Sequence, residues 1–284
     1  MREWITVFLL ALLFIGVIFY TINYNKLFQP TRKILSFSIE PTEEFLMDGI
    51  WVAYFRFNKR KPTILFCHGN SGNVSNRSYM IQLCSMSGLN LVMFDYSGYG
   101  RSSGNPRTRR LLADGEKILD WVSQKVPKEE LIIWGESLGG SVASYLASKN
   151  KCSKLVLFAT FSSLNDLALG DHDDILSWWK IPILAFLNMS VHPLPTKLWI
   201  ENSNIPTLIV HSKDDELISV EHARRMKDVD QKRIFLIEIE GGHGTPKLKK
   251  EDIDSILNFC GAGNIDIDRC INIFDDVNKE IWKE

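Results

Sequence analysis

The sequence carries no surplus of charge. Thirty-three Lys and Arg stand against 34 Asp and Glu, a formal net charge of -1, so no electrostatic field draws in nucleic acid or an acidic partner. Cysteine is sparse and unpaired in pattern. Cys67, Cys84, Cys152, Cys260 and Cys270 form no C-x-x-C, which excludes a disulfide framework and a ribbon-type zinc site and leaves buried, reduced thiols. No internal repeat or low-complexity tract interrupts the 284 residues, so neither a solenoid nor a long disordered linker is indicated. The Gly-rich turn FCHGNSGN (66–73) contains neither G-x-x-x-x-G-K nor G-x-G-x-x-G, which speaks against nucleotide binding. Asp171-His172-Asp173-Asp174 lacks H-E-x-x-H and calcium-loop spacing and reads as a polar surface edge. No metal and no cofactor is expected.

What the chain does have is one long apolar run. Residues 5–22, ITVFLLALLFIGVIFYTI, contain no charge and as a helix would be about 27 Å long, close to the hydrocarbon thickness of a bilayer. The run exceeds a signal-peptide core, and Tyr20-Thr21-Ile22-Asn23-Tyr24 offers no small-x-small cleavage site. Residues 1–27 are therefore expected to form a single-pass membrane anchor, with Trp4, Tyr20 and Tyr24 at the interfaces. Arg2 before the run against Lys26, Arg32 and Lys33 after it leans only slightly towards a cytoplasmic face for the domain that follows. Asn73, Asn76 and Asn188 each begin an N-x-S sequon. Glycans on the first two would obstruct the site described below, which favours the same face or a source that does not glycosylate.

Residues 28–284 read as one α/β domain. Strands are expected at 33–39, 50–57, 63–68, 89–95, 131–134, 155–160, 206–211 and 233–239. Helices are expected at 73–87, 109–125, 220–227 and 251–259, and apolar strands alternating with helices mean a mostly parallel sheet covered on both faces. The rhythm breaks at 161–204, after the sixth strand. There ILSWWKIPILAFLNM, with Pro182, Pro193 and Pro195, is expected to form a cap over a pocket, Trp178, Trp179 and Phe186 being its lining candidates. The competing reading is an extra helix completing the core.

The chemistry begins at Gly135-Glu136-Ser137-Leu138-Gly139. A five-letter G-x-S-x-G string arises by chance in roughly one chain in ten of this length, so its setting has to decide. The apolar strand Leu131–Trp134 precedes it, and Leu138, Val142, Tyr145 and Leu146 follow at helical spacing. That is the arrangement in which a strained turn exposes a nucleophilic serine. A serine hydroxyl needs a base, and the base needs an acid to hold its tautomer. In strand-elbow-helix proteins these follow in the order Ser, acid, His. Of the six histidines, His243, within IEIEGGHGTP, follows the last strand on a Gly-rich loop and is the candidate base. His211 ends its strand too early, His68 precedes the serine, His172 and His192 lie in the insertion, and His222 falls in a helix. Asp214 and Asp215 leave strand 206–211 together, and sequence physics does not separate them. Amides of Asn70 and Leu138 are candidates for the oxyanion hole.

His68-Gly69-Asn70, DYSGYGRSSG (95–104), GESLGG (135–140), HSKDDELIS (211–219) and GGHG (241–244) occur in the order of the α/β-hydrolase superfamily. The chain resembles membrane-anchored serine hydrolases of the alpha/beta hydrolase domain-containing type, some of which are protein depalmitoylases. The resemblance covers residues 34–260. It implies an α/β-hydrolase fold, Ser137 as nucleophile and His243 as base, with Asn70 and Leu138 as the oxyanion amides. It selects Asp215 as the orienting acid, because the family's acid stands four residues after the His of its loop. Ser212 occupies the position of the usual Gly. Asp95, Gly98, Gly100 and Gly104 match a loop that is structural in such proteins. The implied activity is cleavage of a carboxylic ester or thioester, on an acylated protein or a lipid, through an acyl-enzyme. A serine peptidase on the same triad and a non-catalytic membrane-tethered scaffold are the alternatives; no nucleic-acid partner is expected.

Overall fold

The inner strands of this chain are built on apolar runs such as Ile64–Cys67, Leu91–Phe94, Leu131–Trp134 and Leu155–Phe158, as strands covered on both faces must be. The computed structural model describes residues 28–169 and 193–263. Nine strands form one sheet: β1 Glu43–Met47, β2 Ile50–Phe55, β3 Thr63–Cys67, β4 Asn90–Phe94, β5 Leu131–Glu136, β6 Lys154–Phe158, β7 Thr207–Ser212, β8 Ile234–Gly242 and β9 Thr245–Lys247. Their spatial order is β9-β8-β7-β6-β5-β3-β4-β2-β1. The pairs among β3 to β8 are parallel, while β1 with β2, β2 with β4, and β8 with β9 are antiparallel. The helices are α1 Ser78–Ser87, α2 Thr108–Ser123, α3 Leu138–Ala147, α4 Leu164–Leu169, α5 Thr196–Glu201, α6 Glu221–Lys227 and α7 Lys250–Phe259.

Alternation along the strands divides the core in two. Leu65, Cys67, Leu131 and Ile133 pack with α2, α3 and α6 on one face; Ile64, Phe66, Ile132 and Trp134 pack with α1 and α7 on the other. Because β3, β5, β6 and β7 run in parallel, their C-terminal ends open onto one edge of the sheet. In open α/β sheets that edge is where ligands bind.

The edges depart from the sequence reading. Residues 33–39 are not a strand; the edge strand is β1, joined to β2 by the two-residue turn Asp48–Gly49 with φ of 51° and 83°. An Asp-Gly pair favours this hairpin turn because both central residues need positive φ. Residues 31–37 instead cross the loops beside the sheet, with the Leu35 amide on Ser75 Oγ at 2.9 Å and Phe37 stacked on Trp51 at 5.8 Å. The expected helix 73–87 splits into a 3-10 turn, Val74–Asn76, and α1. Asn73, fully buried, caps that turn and donates to the carbonyls of Thr31 and Lys33. It is a structural residue rather than an exposed sequon.

The apolar run 5–22, Cys270 and the cap candidates Trp178, Trp179 and Phe186 lie outside the described residues. Among the described residues, no helix is long and apolar enough to cross a membrane.

Candidate active site

Ser137 stands between the end of β5 and the start of α3, with φ 51° and ψ -118°. A non-glycine residue held at such angles stores strain on the order of 1–3 kcal/mol. The glycines around it are set by close packing. A Cβ on Gly135 would stand 2.4 Å from the Gly139 carbonyl oxygen, and one on Gly139 would stand 2.0 Å from that of Cys67. Only bare backbone lets α3 pass this near to the end of β3. The serine side chain is thereby pushed out of the turn, towards the sheet edge.

Its hydroxyl meets a histidine there. Ser137 Oγ lies 3.1 Å from His243 Nε2, and His243 Nδ1 lies 2.8 Å from Asp215 Oδ2. A carboxylate only accepts, so Nδ1 carries the proton and Nε2 is left to accept from the serine. His243 and Gly244 form the tip of the β8–β9 hairpin, where Gly242 pairs with Thr245, and the loop read from sequence is in fact this tight turn. Glu216 Oε2 accepts the His243 amide at 3.0 Å, a restraint that sequence spacing did not reveal.

Asp215, 8% exposed, is satisfied on both oxygens. Oδ1 accepts the amides of Leu217 at 3.0 Å and Ile218 at 2.8 Å, and Oδ2 faces His211 Nε2 at 3.4 Å besides His243. Burial works against its charge, but the hydrogen bonds from His211 and His243 prevail and hold the carboxyl well below the usual carboxylate range. Asp214 is exposed and its carboxylate accepts the Gly241 amide at 3.3 Å. Ser212 bonds the Gly241 carbonyl through its hydroxyl and receives the Asp214 amide, so it ties the acid loop to the histidine strand.

Register brings the two amide candidates together. Cys67 pairs with Gly135, so Asn70 and Leu138, each three residues further on, leave adjacent strand ends. Both line a cavity of about 310 Å³ together with Ser137 and His243. Leu138 is the first residue of α3, where helical amides have no partner within the helix. Beneath them lies a part-buried ion pair that sequence reasoning missed: Arg77 Nη2 on Glu136 Oε1 at 2.9 Å, with Arg77 Nη1 also on the Ser71 carbonyl at 2.6 Å and Tyr79 OH on Glu136 Oε2 at 2.5 Å. Burial disfavours the Glu136 charge, yet Arg77 keeps its carboxyl below the ordinary range. The cavity's apolar wall comes from Phe158, Phe161, Leu164, Leu167, Leu217 and Ile218.

Other singled-out residues are structural. His68 is buried with Nδ1 on the Gly69 carbonyl at 2.8 Å, and burial, aided by Arg77, pushes its pKa down to about 3. Asp95 accepts the amides of Val74 and Arg101. His222 is buried and takes the Ser162 amide on Nδ1 at 3.2 Å. His172, His192 and Asp171–Asp174 lie outside the described residues. Among the described residues no group of His, Cys, Asp or Glu gathers in a way that could hold a metal ion, and the four described cysteines are free and buried.

The family model for the alpha/beta hydrolase fold matches residues 62–188. The chain is 26% identical over 186 residues to the lysophosphatidylserine lipase ABHD12 of Danio rerio, covering 61% of this chain and 48% of that protein. It is 32% identical over 177 residues to the alpha/beta hydrolase domain-containing protein WAV2 of Arabidopsis thaliana, covering 59% and 57%. It thus spans about half the length of these curated relatives. Among solved structures it is similar to an esterase of Pyrococcus furiosus, with a TM-score of 0.63 at 15% identity, covering 83% of this chain and 97% of that one. With the sheet order and the strained serine turn, these matches show that the chain has the alpha/beta hydrolase fold.

Proposed function

We propose that this protein is a membrane-anchored serine hydrolase that cleaves a carboxylic ester or thioester through an acyl-enzyme. The observation that carries this reading is the unbroken Ser137–His243–Asp215 chain of hydrogen bonds, at 3.1 and 2.8 Å, raised on a strained turn beside a cavity. In the forward step Ser137 Oγ attacks the acyl carbon while His243 Nε2 takes the hydroxyl proton. Asp215 steadies the imidazolium so formed, and the amides of Asn70 and Leu138 receive the oxyanion. As the tetrahedral adduct collapses, His243 returns the proton to the departing alcohol or thiol. Water, deprotonated by the same histidine, then releases the acid and restores the serine.

The apolar wall of Phe161, Leu164, Leu167 and Leu217 supports a fatty acyl group, each buried methylene being worth about 0.8 kcal/mol. The lipase named among the relatives fits a lipid ester, and the uncharged run at residues 5–22 supports attachment to the membrane where such esters reside. The test is a fluorophosphonate probe on membranes carrying the full chain. Wild type is expected to be labelled and to hydrolyse p-nitrophenyl esters; Ser137→Ala is expected to lose both while keeping its melting temperature. Turnover retained by Ser137→Ala would remove this serine from the mechanism.

A further inference from the structure

Two loops meet beside the proposed oxyanion site, and a strap from the N-terminal side joins them. Gln29 and Pro30 pair in parallel with Ser71 and Gly72, directly after Asn70. The Thr31 amide donates to the Gly72 carbonyl at 3.3 Å, and the Thr31 carbonyl accepts both the Gly100 amide at 3.0 Å and Asn73 Nδ2 at 3.1 Å. The residues around Thr31 therefore brace the Gly-rich loop against the loop 95–104. Arg32 extends the brace with its guanidinium on the carbonyls of Gly100 and Ser102. Phe28, 6% exposed, fixes the strap's start in the core.

Tyr99 projects from the second loop towards the first. Its side chain is fully buried, packed against His68 at 5.2 Å and Tyr96 at 5.8 Å between ring centroids. Its hydroxyl donates to Asn70 Oδ1 at 2.9 Å, and the Gln29 backbone reaches the same hydroxyl. The loop that carries it has little freedom: Gly100 has φ 45°, and a Cβ there would stand 2.1 Å from Asp95 Oδ2. A buried phenol needs a partner for its O–H. This one has taken the side chain of the residue whose amide is the proposed oxyanion donor.

We propose that Tyr99 is a positioning residue for the oxyanion hole, holding Asn70 so that its amide faces the oxygen that gains charge, with the strap 28–31 bracing the clamp. This rests on the acyl-enzyme reading above. A donor is effective only within about 2.7–3.1 Å of the oxyanion, so a loosened Asn70 weakens the transition state far more than the bound ester. The loss belongs in kcat and not in KM.

The experiment uses the full chain and the Tyr99→Phe variant, which removes one oxygen and keeps the packed ring. Melting temperature, kcat and KM on a p-nitrophenyl ester, and Ki for a trifluoromethyl ketone are measured; the ketone's adduct places an oxyanion in the same hole. The expected result is a kcat lower by about tenfold with KM within about twofold, and a Ki raised by the factor lost from kcat/KM. Asn70→Ala, which keeps the amide but removes the acceptor, should behave alike, and the double variant should be no worse than either single one. Should Tyr99→Phe fail to fold, Asn70→Ala gives the same readout. Unchanged kcat and Ki in a wild-type enzyme that turns over ester and takes the fluorophosphonate would overturn the role of Tyr99 alone. A fall in kcat with Ki unchanged, or additive losses in the double variant, would also overturn it. A wild-type chain that neither labels nor turns over would remove the acyl-enzyme reading itself, and the clamp with it.

Discussion

Gly139→Ala adds one methyl group at the point where α3 crosses the end of β3. Its Cβ would lie 2.0 Å from the Cys67 carbonyl oxygen and 2.4 Å from that of His68, where ordinary contact begins at 3.4 Å. Both neighbours are backbone at the end of a central strand, so neither can swing aside. Alanine's helical advantage over glycine, about 0.5–1 kcal/mol, is lost to overpacking that costs roughly 1–3 kcal/mol. At about 2–4 °C per kcal/mol for a domain of this size, the melting temperature should fall by several degrees. Activity should suffer more. The separation of α3 from the end of β3 also sets the distance between the Leu138 amide and Asn70, and a misplacement of about 1 Å costs on the order of 100-fold in rate. The assay is kcat/KM on p-nitrophenyl butyrate beside a thermal melt. Gly115→Ala, within α2, is the control: its Cβ would meet Val142 Cγ1 at 3.0 Å and Leu146 Cδ1 at 3.2 Å, side-chain ends that can shift, so kcat/KM should stay within about twofold. Wild-type activity and melting temperature in Gly139→Ala would refute the claim that this close approach shapes the site.

Asp215→Asn should lower kcat by roughly 10³–10⁴ by disturbing the His243 tautomer, whereas the exposed Asp214→Asn should stay within about threefold; equal losses would contradict the hydrogen bonding seen at 2.8 Å. His68, pushed down to about 3 by burial from an ordinary 6.5, stays neutral in the native state where the unfolded chain is already protonated. Its stabilisation is full above pH 6.5 and falls by about 1.4 kcal/mol per pH unit towards pH 3. Urea midpoints across this range should therefore drop with pH in wild type and drop less steeply in His68→Gln. Leu164→Trp should narrow the apolar wall and cut kcat/KM on octanoyl esters at least tenfold more than on acetyl esters; a uniform loss with a lower melting temperature would place Leu164 in the core instead.

Local physics decided the centre of this fold. The apolar runs 64–67, 91–94, 131–134 and 208–210 can be stable only when covered on both faces, which makes a parallel sheet with helices legible before any contact is known. The glycines around Ser137 signalled a tight turn, although the contact that requires Gly139, with the Cys67 carbonyl, is one that only folding brings about. Asp48-Gly49 favours a hairpin turn, but the expected strand at 33–39 passed it over, and the β1–β2 hairpin emerged only in the structure. What sequence spacing did not reveal depends on long-range meeting. Glu136 and Arg77 are 59 residues apart, Tyr99 and Asn70 29, Glu216 and His243 27, and a charge or hydroxyl carries no mark of the partner that folding will bring to it. Likewise, adjacent Asp214 and Asp215 are chemically equivalent in the chain. Only the tertiary structure turns one towards solvent and buries the other between His211 and His243, because the direction of a side chain on a loop is set by what the loop packs against.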